Sequence, residues 1–168
     1  MAELKVVAPA QTIEYSGLFI ADELYHVIDS WLKENNYTKE EKKASEKVHE
    51  DSKDVLVKCE AVKPLNETTN YVLKIDLVVR NMIALQIEDK GNLKRFNKGD
   101  VSITLEGVKV ADKTGKWEIK PFYFFLRTAF HKFILKDEEE RMDSIFKRDY
   151  SALKNEILNY LNMHKYLA

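Results

Sequence analysis

The side chains with which this sequence could do chemistry are four histidines, one cysteine, an acidic run, a basic turn and an aromatic stretch. His26, His49, His131 and His164 lie far apart, and none stands in a His-x-x-His or His-Glu-x-x-His spacing, so no transition-metal site is expected. His131, one helical turn after Arg127, is the best-placed general base, although beside Lys132 it also reads as a partly exposed helix histidine. Cys59 falls in phase with Val55 and Val57, which predicts a buried structural thiol, and there is no Gly-x-Ser-x-Gly elbow. Gly91 and Gly99 are isolated, so nothing cradles a phosphate and no cofactor is expected. The run Asp137-Glu138-Glu139-Glu140 lacks the alternating ligand spacing of a calcium loop and reads as a solvated helix start.

Two segments point to binding. Lys90, Lys94, Arg95 and Lys98 surround Phe96 on a predicted turn pair, where cations can hold a phosphate backbone while a ring stacks a base. The chain carries 27 basic and 28 acidic side chains, however, so no wider basic field supports that turn. The second segment is Pro121 to Leu135, in which Phe122, Tyr123, Leu126, Phe130 and Phe133 make an apolar perimeter broader than one buried stripe. Either the sheet and the terminal helix cover its two sides, or it forms a partner interface or the wall of an apolar cavity.

The elements that must position these residues follow from periodicity. Residues 4 to 15 read as an edge strand with Pro9 at a bulge. Ser16 can cap a helix whose apolar positions Ile20, Leu24, Val27, Ile28 and Trp31 recur at three and four, ended by Asn35-Asn36. Residues 40 to 53 are mostly Glu and Lys and are assigned to an edge strand, because Val55, Val57, Cys59 and Ala61 alternate after a turn at Asp51-Ser52. Tyr71, Leu73, Ile75, Leu77, Val79, Ile83, Leu85 and Ile87 all occupy odd positions, which predicts one long core-facing row interrupted at Asn81. Gly91 and Gly99 bracket a short segment with Leu93 and Phe96. Val101, Ile103 and Leu105 follow, with a bulge allowed at Gly107 before Val108 and Val110, and a hairpin returns through Trp117 and Ile119. A helix over 121–135, a charged joint at 137–141 and a terminal amphipathic helix over 150–164 complete the chain.

This order predicts one α+β domain spanning residues 1–168: an antiparallel sheet of about six to seven strands, with an N-terminal helix and two C-terminal helices packed on one face. From Leu4 to Leu167 the order of elements resembles the START-like helix-grip superfamily, in which an antiparallel sheet wraps a long C-terminal helix. The helix at 121–135 departs from that pattern. The resemblance implies a gap between sheet and helix that holds an apolar ligand.

A single cysteine and the lack of a signal-like or spanning segment predict a soluble cytoplasmic protein without a transmembrane segment, and the triplets at Asn36 and Asn66 are given no weight as glycosylation sites. The function expected is a non-enzymatic binding module, holding a protein partner (a second copy included) or an apolar small molecule between sheet and C-terminal helices. The alternatives are a small enzyme with a pocket around His131 and Arg127, joined by Tyr123 or Asp76, and nucleic-acid binding through the basic loop at 90–98.

Overall fold

The computed structural model describes residues 2–112 and 136–165. Its elements are β1 (Ala2–Phe19), α1 (Ala21–Glu34), β2 (Thr38–Val48), β3 (Lys53–Pro64), β4 (Thr69–Asp89), β5 (Asn92–Asp112) and α2 (Lys136–His164). All strand pairs are antiparallel, in the order β1-β5-β4-β3-β2, so the class is α+β. Among the described residues there are five strands and two helices, fewer than the sequence suggests. The expected hairpin at Trp117 and helix at 121–135 lie outside the described residues.

One strand too many comes from Gly99. It marks no turn: β5 runs unbroken from Asn92 to Asp112, and the β4–β5 reversal is a tight turn at Lys90 and Gly91, with φ of 51° and 84°. The glycine is required by a close approach instead. A Cβ on Gly99 would lie 3.0 Å from the Arg80 carbonyl oxygen and 3.1 Å from Met82 Cα. The approach arises because β4 bulges there, with Asn81 at φ 55° and the register slipping between Arg80 and Ile83.

That bulge also corrects the odd-numbered row. Tyr71, Leu73, Ile75, Leu77 and Val79 are 1–3% exposed and face the helices. Beyond Asn81 the parity switches, Met82 takes the inward place at 6% exposure, and Ile83, Leu85 and Ile87 pass to the outer face, half-buried. No corresponding break occurs at Gly107, whose missing side chain makes room for the Phe146 ring, 2.9 Å from where a Cβ would stand. Val108 and Val110 simply occupy the outer face of an uninterrupted strand.

Among the described residues β1 and β2 are the two edges. The β1 ladder slips around Pro9, which has no N–H to give, and the Tyr150 hydroxyl from α2 sits 3.0 Å from the Pro9 carbonyl and 2.8 Å from that of Leu105. β2 is exposed at every position and dense in Glu and Lys, the composition that discourages a free edge from pairing with other chains.

The apolar stripe of α1 buries Leu24, Ile28, Trp31 and Leu32. Its end matches the expectation: Asn36 adopts φ 65°, and Tyr37 N–H donates to Leu32 O at 2.8 Å while Asn36 N–H donates to Lys33 O. Its start does not. Ser16 remains in β1 and donates to Asp100 at 2.8 Å. The first amides are satisfied from afar, Ile20 N–H by the Tyr160 hydroxyl at 3.1 Å and Ala21 N–H by Asn97 Oδ1 at 3.0 Å.

α2 packs on β1, β5 and α1, and it begins within the expected charged joint, so Asp137 to Glu140 form its first turn. Phe146, Tyr150, Leu153, Ile157 and Leu161, all 0–5% exposed, fill the seam against the sheet.

Candidate functional site

The β2–β3 reversal, the start of α1 and the stretch of β4 beyond its bulge converge at one end of the sheet and leave a groove of about 810 Å³. Ile20, Ala21, Asp22 and Tyr25 supply the α1 wall, and residues 46 to 53 with Val55 supply the β2–β3 wall. Met82, Ile83 and Ala84 of β4, with Arg95 and Asn97 of β5, make the floor and the far side.

Asp54 fixes this geometry. One of its carboxylate oxygens accepts the Asn81 N–H at 2.9 Å, and the other lies 3.0 Å from His49 Nε2, so the β2–β3 turn is tied directly to the β4 bulge. The His49 hydrogen bond and then the Asn81 amide hold the Asp54 carboxyl below the usual carboxylate range. His49 N–H donates to Ser52 O at 2.8 Å and closes the turn.

The rim is charged, and the apolar part of the floor is Met82 and Ala84, since Ile83 shares the outer face with Lys98. Lys53 pairs with Glu46 at 3.0 Å and His49 with Asp54 at 3.0 Å. Asp22, Glu50 and Asp51 make no ion pair among the described residues, and neither does Arg95. Burial raises the Tyr25 hydroxyl, and the carboxylates of Asp22, Glu46 and Glu41 raise it further. Val48, at the rim, is a large apolar side chain left 74% exposed.

Phe122, Tyr123, Leu126, Arg127, Phe130, His131 and Phe133 lie outside the described residues. The four cations of the basic segment are dispersed along the β4–β5 hairpin: Lys90 at its turn, Arg95 in the groove, Lys94 and Lys98 on the opposite face. Lys94 Nζ lies 5.6 Å from the Phe96 ring centre, and Phe96 is only 4% exposed, so its ring is not open to a stacking base. Asp76, on the outer face of β4, opposes Lys58 and Thr104. Cys59 is buried, and burial pushes its thiol up to about 11, which leaves it protonated and inert. His26 is exposed beside Ser30, while His164 is buried with Nδ1 3.0 Å from Tyr160 O. Among the described residues no His, Cys, Asp and Glu side chains gather as a metal site, and no helix is long and apolar enough to cross a membrane.

Sequence reasoning missed two polar clusters under α2. Tyr71 donates a short hydrogen bond to Asp143, which also receives Lys109 Nζ at 3.1 Å. Six residues on, Asp149 accepts from the Tyr37 hydroxyl at 2.9 Å and lies 3.7 Å from Lys63 Nζ, whose charge stands 5.1 Å from the Tyr37 ring centre. Burial raises both tyrosines far above their ordinary range, so both remain neutral donors. Burial alone would raise Asp143, but the hydrogen bonds from Tyr71 and Lys109 outweigh it and hold the carboxyl low. These groups clamp α2 to β3, β4 and β5. No signal local to the sequence pairs residues so far apart.

No protein-family model matches the chain, and no curated protein matches it in sequence. Among solved structures, the Staphylococcus aureus protein of unknown function SA2116 aligns over 93% of this chain and 96% of its own, at 8% identity and a TM-score of 0.22. Ara h 8.0201 aligns over 88% and 99%, at 8% identity and a TM-score of 0.15. Superposition at these scores carries no argument about fold or activity.

Proposed function

We propose that the chain is a non-enzymatic binding module that receives a segment of a protein partner in the groove at the end of the sheet. The observation that carries this reading is the groove itself: about 810 Å³, within the usual range of roughly 300–1,000 Å³ for binding sites, with an apolar floor and a charged rim. The helix-grip resemblance belongs to the same proposal, supported by α2 lying along β1 and β5. An apolar ligand between sheet and helix is the weaker version, because the described seam is occupied by Phe146, Tyr150 and Leu153.

Display of a random-peptide library against the folded full chain tests the proposal. Ala84 is exposed in the groove, so Ala84→Glu alters the floor without removing core packing. The expected result is recovery of peptides whose binding is lost in Ala84→Glu at an unchanged unfolding midpoint. Recovery of no Ala84→Glu-sensitive peptide refutes the groove as the binding surface. Native mass spectrometry of the same preparation addresses the ligand version, since a co-purified apolar molecule would favour it.

A further inference from the structure

We infer that the partner segment is basic and apolar, with an apolar side chain on the groove floor and a lysine or arginine beside Tyr25 and Asp22. This rests on the groove reading above and names the chemistry the groove selects.

Charge is the first argument. The chain as a whole is nearly neutral, at −1, so acidity at the groove is local. Among the described residues, His49 and Lys53 are committed to Asp54 and Glu46, which leaves Asp22, Glu50 and Asp51 facing one uncommitted cation, Arg95. An anionic segment would meet this rim unfavourably, and a cationic one would be drawn to it.

Shape and surface type are the second. Tyr25 is half-buried on the α1 wall with Asp22 one turn behind it, an arrangement that sets side by side for a cation an aromatic ring and a carboxylate unpaired among the described residues. Beside it, the apolar floor and the exposed Val48 offer surface that a neutral hydrophobic side chain would cover. The protein's own basic side chains Lys94 and Lys98 point to the opposite face of the hairpin, so they do not neutralise the rim.

The test uses three labelled peptides of equal length, built on one leucine-containing core and flanked by lysines, serines or glutamates, titrated by fluorescence anisotropy into the full chain. The lysine-flanked peptide is expected to bind, the serine-flanked one more weakly and the glutamate-flanked one not at all. Reversing two exposed turn charges, Glu50→Lys with Asp51→Lys, is expected to weaken binding of the lysine peptide by about tenfold or more and to make binding of the glutamate peptide detectable. Circular dichroism of this variant must match the parent, and Tyr25→Leu supplies an independent second variant that should weaken only the lysine peptide. Equal binding of all three peptides, if abolished by Ala84→Glu, overturns the charge inference while the groove reading stands. Binding of none overturns the charge inference, while the groove reading is decided separately by the peptide display above. Concentration-dependent dimerisation abolished by Ala84→Glu overturns the inference in favour of a second copy, and a gel shift with single-stranded DNA that is lost in Arg95→Glu overturns it in favour of nucleic acid.

Discussion

Removing the Asp143 carboxylate probes the clamp under α2 most directly. Asp143→Ala strands the Tyr71 hydroxyl, on a residue 2% exposed, and the Lys109 ammonium, on a side chain 14% exposed. A buried donor left without a partner costs about 1–3 kcal/mol, and breaking a buried ion pair about 3–5 kcal/mol. Lys109 can still turn toward water, so the expected loss is about 2–4 kcal/mol, below the simple sum. For a chain of this length that lowers the thermal midpoint by roughly 5–15 °C. The pH dependence follows from the direction of the shift. In the folded chain Asp143 releases its proton more readily than in the unfolded chain, so its stabilisation is complete above the ordinary carboxyl pKa of about 4 and disappears as pH falls through the lower folded value. Denaturant unfolding of parent and variant between neutral pH and acid measures both effects, with the gap between them closing as acid protonates the parent. Tyr71→Phe in the Asp143→Ala background should cost less than in the parent, because the orphaned hydroxyl is gone. A loss under about 0.5 kcal/mol for Asp143→Ala, or a gap that stays constant into acid, refutes the clamp.

Ile75, 1% exposed at the centre of the inward row, should cost about 2–5 kcal/mol as Ile75→Ala, and an unchanged unfolding midpoint would contradict its placement. Trp31, 8% exposed and stacked 5.8 Å from Tyr37, should emit to the blue and resist iodide quenching in a Trp117→Phe background; free quenching would count against α1 as described. Where space permits, Gly→Ala in extended backbone stabilises by about 0.4–1 kcal/mol, but Gly99→Ala would press on the backbone of Arg80 and Met82 and should instead destabilise by about 1–3 kcal/mol. A raised midpoint for that variant would show that the bulge relaxes freely.

What was legible in the sequence was what depends on near neighbours. The stripe of α1, its stop at Asn36, the charged edge strand and the inward row as far as Val79 all follow from periods of two or 3.6 residues, and the structure bears them out. Asn81 announced an interruption, yet only the register slip between Arg80 and Ile83, opposite Gly99, decides that the row changes faces there. Ser16 had the chemistry of a cap but lost that role because Tyr160 and Asn97 reach the first amides from distant strands and helices. The groove was invisible for the same reason: His49 and Asp54 come from one hairpin, Asn81 from a second, and Tyr25 from a helix that precedes both.

The pairing of β1 with β5 sets the order in which this sheet can close. β2, β3, β4 and β5 follow one another through short reversals, so each can pair soon after it is made. β1 is synthesised before any of them, but its partner is β5, the last of the five described strands, with Phe19 meeting Asn97 and Ala2 meeting Asp112. Until then its apolar residues Ile13, Leu18 and Phe19 have no ladder to join. Closing so long a loop is slow, which makes the waiting first strand the segment most in need of shielding during synthesis on the ribosome.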